Sequence, residues 1–332
     1  MAEQEERKRY KFKEMKVYGS LENFFGNQKN YRMVFDESEV CYINVELSLY
    51  NILFDEEEWK AKIKIKASEY YENKEMCSLD KDIVVTTDQN IVYIRDGWGT
   101  SNPGWWKKGT YKWEVFIDDV LVGTNHFYVT NNGTVIVDNN PYFYINSIKL
   151  FEGPKGNIPR EERKYLTAFN KDTARYISVE MELNNKITHE QYFPLELHFY
   201  FFNDVRQLKG AYYWFEHVND KRENILIDIG YGAENPGFWY ADKYTCEIVF
   251  MDSIVAIVPF EVGTQDIALT GTLPWMQGIE GGVTVASGGQ TIVPDAQNFE
   301  EAKKELDELT GLETVKKDIN ALQYLRQSWA CC

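Results

Sequence analysis

The stretch YINVELSLYN at Tyr42–Asn51 returns about 134 positions later as YISVEMELNN at Tyr176–Asn185. A second stretch repeats in the same order along the chain: GWGTSNPGWW at positions 97–106 returns as GYGAENPGFW at positions 230–239. A period this long corresponds to a whole domain, since solenoid units repeat every 20–50 residues or so. The sequence therefore predicts two copies of one domain, and such a duplication favours a binding or assembly module over a single active site.

Inside each copy the apolar residues alternate with polar ones, as in strands with one buried face. Turn signals separate about seven such strands per copy, and no helical periodicity intervenes. Asp118-Asp119 predicts a tight hairpin between two apolar runs, and Met251-Asp252-Ser253 predicts the same turn in the second copy. The predicted fold class is mainly β, with two tandem Ig-like β-sandwich repeats at residues 10–130 and 142–263. The alternating apolar positions include Val45, Leu47, Leu49, Ala61, Ile63 and Ile65 in the first copy, and Leu195, Leu197, Phe199 and Phe201 in the second.

Composition excludes several classes of partner. The chain has 332 residues, and its 22 Tyr, 19 Phe and 9 Trp favour pleated, half-buried surfaces. A formal net charge of −16 argues against nucleic acid, whose phosphates would be repelled. The longest apolar stretch, at residues 254–262, is too short to span a membrane. The charged residues 1–9 lack the apolar core of a secretory signal peptide.

The cysteines are odd in number and scattered, and the two copies share none of them. Free and mostly buried thiols in a reducing compartment are the interpretation that this pattern favours. We therefore expect a cytoplasmic protein. The five positions are Cys41, Cys77, Cys246, Cys331 and Cys332.

The region after the second copy differs in composition. Residues 264–296 are rich in Gly and Thr and predict an extended linker. Residues 297–328 carry two capping-box patterns and apolar residues at helical spacing, which predict a short helical segment. Its apolar stripe would need a partner and is interpreted as a docking helix formed by Leu312, Val315, Ile319, Leu322 and Leu325.

The paired Asn-Pro-Gly-aromatic-Trp segments are the most distinctive local chemistry. Pro and Gly set a turn, and the rings after it are candidates for a sugar- or peptide-binding platform. The alternative, which we favour, is an aromatic corner that closes the end of each sandwich. The candidate binding residues are Trp105, Trp106, Phe238 and Trp239.

No catalytic, metal or cofactor site is predicted. The four histidines lack metal-ligand spacing, and no nucleophile–base constellation follows from the sequence. The Gly-rich stretch at residues 281–291 lacks the lysine that a phosphate-binding loop requires. We therefore expect a protein that is not an enzyme and needs no cofactor.

The segment ELDELTGLETVKKDI at residues 305–319 resembles the first segment of AAA+ ATPase modules of the CbxX/CfqX group, which includes rubisco activase and sporulation stage V protein K. The likeness covers about residues 303–326 and rests on the order Leu, Gly-Leu, Val-Lys. In that family the segment lies near the nucleotide pocket and the neighbouring subunit, and a recognition domain usually precedes it. This chain has no Walker A lysine after the segment, so the resemblance assigns no ATP-contacting residue.

These observations lead to three functional hypotheses. The preferred one is a non-catalytic N-terminal recognition region of an oligomeric AAA+ ATPase, whose sandwiches bind a protein client or a tether. The second is a carbohydrate-binding or adhesion module, and the third is a structural subunit that docks through its C-terminal helix.

Overall fold

The computed structural model describes residues 8–21, 29–136, 139–156, 158–273, 275–279 and 282–285, and these residues are mainly β. The first repeat contains eight strands. In Trp59–Glu69 and Gly109–Ile117 buried side chains alternate with more exposed ones, as the sequence predicts, whereas Tyr42–Asn51 is buried at almost every residue. They are β1 (Tyr10–Ser20), β2 (Val34–Asp36), β3 (Tyr42–Asn51), β4 (Trp59–Glu69), β5 (Glu75–Val85), β6 (Ile91–Gly99), β7 (Gly109–Ile117) and β8 (Val120–Thr130).

The second repeat has the corresponding strands, with a 3-10 turn at Arg160–Glu162 between the first two. Three further short strands follow it. The set is β9 (Phe143–Gly153), β10 (Leu166–Asn170), β11 (Tyr176–Asn185), β12 (Tyr192–Asn203), β13 (Leu208–Asn219), β14 (Asn224–Gly232), β15 (Asp242–Phe250), β16 (Ser253–Gly263), β17 (Ile267–Ala268), β18 (Met276–Ile279) and β19 (Gly282–Val285).

The two repeats share one sheet topology. The first has sheets in the orders β1-β3-β6 and β2-β8-β7-β4-β5, and the second has β9-β11-β14 and β10-β16-β15-β12-β13. In both, the short second strand pairs in parallel with the last strand, at Val34↔Tyr128 and Ala168↔Glu261. Each repeat has a hydrophobic core to which both of its sheets contribute.

The tight hairpin turns fall where the sequence predicts them. Asp118 and Asp119 join β7 to β8 with φ of 47° and 66°, and Met251 and Asp252 join β15 to β16 with φ of 46° and 62°. Two consecutive left-handed residues match the right-handed twist of the flanking strands. Asp and Asn tolerate this conformation better than most residues, whereas Met251 adopts it without that advantage.

The prediction of a linker over residues 264–296 is wrong for part of its length. Ile267–Ala268 pairs with β10, and Met276–Ile279 pairs with both β16 and the hairpin strand β19. The alternation in Gly-Val-Thr-Val suits a strand, and the glycine content hid that pattern. The predicted helical segment at 297–328, with its docking residues Leu312, Val315, Ile319, Leu322 and Leu325, lies outside the described residues.

The two repeats pack directly on each other. The Glu196 carboxylate accepts hydrogen bonds from the backbone N–H groups of Met33 and Val34, at 2.7 and 3.0 Å. The Arg32 guanidinium, which is buried, lies 2.9 Å from the Asp252 carboxylate. Val34 belongs to the core of the second repeat, so the junction combines buried polar bonds with apolar packing.

Rings extend this junction. Tyr128 at the end of β8 stacks on Phe215, with ring centroids 5.2 Å apart, and meets the edge of His217 at 4.9 Å. The segment that connects the repeats is also anchored to the first repeat, because the Asp36 carboxylate accepts hydrogen bonds from the Tyr142 hydroxyl and the Gly133 backbone N–H. The repeats thus meet through specific side chains as well as through the connecting chain.

Two further observations concern both repeats. No helix in the described ranges is long and apolar enough to cross a membrane. Cys41, Cys77 and Cys246 are free, buried thiols, and burial raises the pKa of Cys77 to about 12.

Candidate ligand groove at the junction of the repeats

The predicted aromatic binding residues divide into a buried pair and a half-buried pair. Trp106 and Trp239 are 0% and 1% exposed and lie in the two cores. The indole N–H of Trp106 donates to the Trp98 carbonyl oxygen at 2.9 Å. Trp105 and Phe238 lie half-buried against them. Trp106 and Trp239 therefore offer no face to a ligand, and they fill the end of each core as the favoured alternative expected.

A groove at the junction of the repeats is a better candidate. It has a volume of about 930 Å³, near the upper end of the roughly 300–1,000 Å³ of small-molecule sites. Both repeats contribute to it, and aromatic side chains dominate the wall from the second. The lining residues are Met15, Lys16, Val17, Lys29, Asn30, Tyr31, Arg32, Met33 and Asn125 from the first repeat, and Glu196, His198, Tyr200, Ala211, Tyr212, Tyr213, Trp214 and Phe215 from the second. We call this the junction groove.

The junction groove runs between the edges of two sheets. Its lining includes three consecutive residues of β1 (15–17) and five consecutive residues of β13 (211–215). Successive side chains of a strand point to opposite faces, so a cleft over one face would expose only alternate residues. Both strands are outermost in their sheets among the described residues. The groove therefore follows the edges of β1 and β13, and it also extends over one face of β12, which contributes only the alternate residues Glu196, His198 and Tyr200.

The two edges differ in how their backbone groups are used. On β1, the Met15 carbonyl oxygen accepts a bond from the Asn125 amide at 2.8 Å. The Val17 carbonyl oxygen accepts a hydrogen bond from the backbone N–H of Arg32 at 3.0 Å. On β13, β12 pairs along one side, and no strand of the described ranges pairs along the other. The β13 edge is therefore the open one.

Comparison of the repeats shows that this edge has diverged. In the first repeat β4 presents Lys62, Lys64 and Lys66, which pair across with Asp82, Asp80 and Ser78 of β5. This is a charged, solvated sheet face, and charges on an edge strand discourage further pairing. At the matching register the second repeat pairs Glu196 with Phe215, His198 with Tyr213, and Tyr200 with Ala211.

The rings of the second repeat form a continuous surface. The planes of His198 and Tyr200 are nearly parallel, with centroids 6.1 Å apart, and Tyr213 lies 6.4 Å from His198. Tyr212 and Tyr213 are 48% and 60% exposed. Exposed apolar surface rimmed by polar groups is typical of interaction sites. The second repeat thus has an aromatic wall where the first has a charge ladder.

The opposite wall, residues 29–33, is fixed from two sides. Glu46 in β3 accepts bonds from the Lys29 ammonium at 2.5 Å and from the Tyr31 hydroxyl at 2.8 Å. Arg95 also donates to it. Burial disfavours the charged form of Glu46, but these three bonds outweigh burial and lower its pKa. The wall is therefore held by an ionised, buried carboxylate on one side and by the Glu196 bonds on the other.

The same carboxylate cluster recurs in the second repeat. Glu180 accepts bonds from Arg163 and from the Tyr165 hydroxyl, both at 2.7 Å, and Arg160 also donates to it. Burial opposes ionisation here too, yet these partners lower the pKa of Glu180. Glu46 and Glu180 occupy the same position in the duplicated stretch. The recurrence of this glutamate is a sequence signal for the buried cluster, and neither glutamate is among the predicted site residues.

The charges in the junction groove are largely compensated. Lys16 pairs with Glu14 at 2.9 Å, and Arg32 pairs with Glu39 and Asp252. Burial raises the pKa of Tyr200, and Asp252 and Glu196 raise it further, so its hydroxyl is a hydrogen-bond donor at neutral pH. The groove therefore combines rings, hydroxyls and paired charges. In the described part of the chain, no group of three or more His, Cys, Asp or Glu side chains could hold a metal ion.

Comparisons with known proteins leave the family open. No protein-family model matches the chain, and no curated protein matches it. Among solved structures, the alkylpurine DNA glycosylase AlkC of Pseudomonas fluorescens bound to abasic-site DNA is 12% identical, with a TM-score of 0.26 over 36% of this chain and 30% of that chain. A glycosyl hydrolase family 2 member from Bacteroides cellulosilyticus DSM 14838 is 9% identical, with a TM-score of 0.26 over 77% and 36%. This chain therefore spans about a third of those longer proteins, and TM-scores this low carry no functional argument.

Proposed function

We propose that the chain is a non-catalytic binding module in which two Ig-like β-sandwiches pack together and recognise a protein client or tether in the junction groove. The observation that carries the proposal is the divergence of matched edges. One repeat keeps Lys and Asp where the other has His198, Tyr200 and Tyr213. The second repeat has aromatic rings where the first has a charged, solvated face, and these rings line a groove of about 930 Å³, as in a ligand site.

The Ig-like assignment has its own support. In each repeat the short second strand pairs in parallel with the last strand, and the strands are divided between two sheets. The Tyr111 hydroxyl donates to the Lys107 carbonyl oxygen at 2.8 Å, and the Tyr244 hydroxyl donates to the Tyr240 carbonyl oxygen at 3.0 Å. A tyrosine that bonds back to the backbone just upstream is a hallmark of Ig-like sandwiches.

Binding that depends on the groove tests the proposal. Random dodecapeptides displayed on phage and a glycan array would be probed with the wild-type chain and with two variants. Tyr213→Asp introduces at the groove wall the aspartate that the first repeat has at the corresponding position, Asp80. Tyr71→Asp is the control and changes a ring that is 79% exposed at the β4–β5 turn. We expect ligands whose binding is lost in Tyr213→Asp and retained in Tyr71→Asp. Ligands of either class that bind both variants equally would contradict the proposal.

The resemblance of residues 303–326 supports a second element of the proposal, in which the module delivers its client to an AAA+ motor of the CbxX/CfqX group. The docking residues would then be Leu312, Val315, Ile319, Leu322 and Leu325. The chain alone should bind no ATP in calorimetry, and stoichiometric binding would contradict this element. Leu312→Asp with Ile319→Asp should abolish co-elution with such an ATPase while leaving groove binding intact. If the double variant still co-elutes, docking does not use this segment.

A carbohydrate ligand is the second candidate. It is favoured by the exposed rings of Tyr212 and Tyr213 together with the nearby amides of Asn30 and Asn125. The glycan array in the experiment above tests it directly.

A further inference from the structure

The open edge of β13 has the chemistry of a strand acceptor. Ala211–Phe215 is paired with β12 on one side, and the junction groove lies along the same five residues. At about 3.3 Å per residue this edge is roughly 16 Å long. An unpaired edge presents alternating N–H and C=O groups, and the partner that repeats this pattern is another extended backbone.

Natural proteins usually protect such edges with charge, and the first repeat does so. Asp80, Lys81 and Asp82 occupy the β5 positions that correspond to Tyr213, Trp214 and Phe215 in β13. Inward or edge charges prevent strand addition, so their replacement by rings removes the protection. The first repeat thus serves as an internal reference for what the same scaffold carries when its edge strand is protected by charge.

We propose that the ligand of the junction groove is an extended peptide segment of a client protein, which adds to β13 as a further strand along Ala211–Phe215. This proposal rests on the binding function proposed above. Backbone bonds to the edge would supply affinity, and alternate side chains of the peptide would lie on the two faces of the sheet. One set would meet Tyr213 and Phe215, and the other would meet Tyr212 and Trp214.

The charge of the module defines the peptide further. The chain carries a formal net charge of −16, whereas the cations that line the groove are paired with Glu14, Glu39 and Glu46. The long-range field therefore favours a neutral or basic peptide and repels an acidic one. Apolar or aromatic residues at alternate positions, flanked by Lys or Arg, are the sequence that fits this edge.

Backbone methylation distinguishes strand addition from other modes of binding. A dodecapeptide selected from the phage library would be synthesised with one N-methyl group at each position in turn, and its Kd for the full chain would be measured by calorimetry. Strand addition predicts an alternating pattern, because only every second N–H of the peptide points to β13. Methylation at those positions should weaken binding about tenfold or more, which corresponds to about 1.4 kcal/mol per lost bond. Methylation at the intervening positions should have little effect.

Variants of the chain complete the test. Tyr213→Asp should weaken the same peptide by about tenfold, as expected for loss of an aromatic contact at an interface. Tyr71→Asp should leave the Kd unchanged, and circular dichroism would confirm that both variants are folded. A methylation scan without alternation, or a peptide that binds both variants equally, would overturn the inference.

Three other outcomes separate this inference from the proposed function. Glycans bound in a Tyr213-dependent manner, without any such peptide, would overturn strand addition and leave a groove ligand in place. A dimer in light scattering that Tyr213→Asp abolishes would assign the edge to a second copy and overturn the peptide inference. No Tyr213-dependent ligand of any class would remove both proposals.

Discussion

Glu196 in the second repeat accepts backbone hydrogen bonds at the start of strand β2 in the first repeat, where Val34 lies. Its carboxylate accepts the N–H groups of Met33 and Val34 at 2.7 and 3.0 Å and is itself 4% exposed. In the first repeat the corresponding position is Lys62, which faces the exposed ladder of β5. The repeats thus differ, lysine against glutamate, at a position that contributes two hydrogen bonds to the junction, and the groove lies at that junction.

Removal of the Glu196 carboxylate should loosen the two repeats. Glu196→Ala leaves one buried and one part-buried N–H group without this partner, at about 1–3 kcal/mol each, so we expect the free energy of unfolding to fall by about 2–6 kcal/mol. The denaturant transition, followed by circular dichroism, should broaden or split as the repeats unfold separately. Glu196→Gln retains an acceptor oxygen and should lose less. Equal losses in the two variants would show that the hydrogen bonds are not the cause.

The buried Glu46 cluster should make stability depend on pH. Because the folded pKa of Glu46 lies below its ordinary value of 4.5, its contribution is complete above about pH 4.5 and is lost as pH falls through the folded pKa. Glu46→Gln should be less stable than the wild type at pH 7, and the difference should shrink toward pH 3. Glu58→Gln, in an exposed turn, is the matched control and should behave as the wild type at both pH values. A difference for Glu46→Gln that is constant with pH would contradict the ionised cluster.

The aromatic corners should matter for stability and not for ligand contact. Trp106→Ala or Trp239→Ala removes a fully buried ring and should reduce the free energy of unfolding by about 3–5 kcal/mol in chemical denaturation. Trp105→Ala, at a half-buried ring, should cost less. Preserved stability in Trp106→Ala, with loss of a ligand, would restore the corner as a binding site.

A close approach of backbones should make Gly99 irreplaceable. A Cβ atom at Gly99 would lie 1.9 Å from the Cys41 carbonyl oxygen, and one at Gly232 would lie 2.0 Å from that of Arg175. We expect Gly99→Ala to lower the melting temperature strongly, since backbone displacement costs more than the 0.5–3 kcal/mol or so of most substitutions. Gly263→Ala is the control, because its nearest neighbour would be 3.6 Å away. Similar effects in the two variants would contradict the steric account.

Much of the fold could be predicted from the sequence because the repeat supplies an internal comparison. The alternation around Val45 and Ile63 predicts strands that the structure has, and the hairpin at Asp118–Asp119 is confirmed. The mainly β class is correct. Strands β18 and β19 are not predicted, because the Gly-rich composition of this region is typical of a linker and obscures the alternation of Gly282–Val285.

The candidate site could not be predicted from what the repeats share. Comparison of the two copies favours the recurring corner, whose Trp106 and Trp239 are buried, over the positions that fail to recur. Recurrence in a duplicated domain identifies what the fold requires, and the groove lies where the copies differ. The replacement of Asp80 by Tyr213 is visible in the sequence, but its meaning depends on which strand is at the edge of the sheet, and only the topology shows that.

Amide hydrogen exchange of the full chain, with and without the selected peptide, tests the central claim most directly. If the junction groove binds an extended client segment at β13, exchange should slow within Ala211–Phe215 and at the facing residues 29–33, and the β5 edge at Ser78, Asp80 and Asp82 should not change. Slower exchange around Trp105 and Phe238, with no change along β13, would contradict the account.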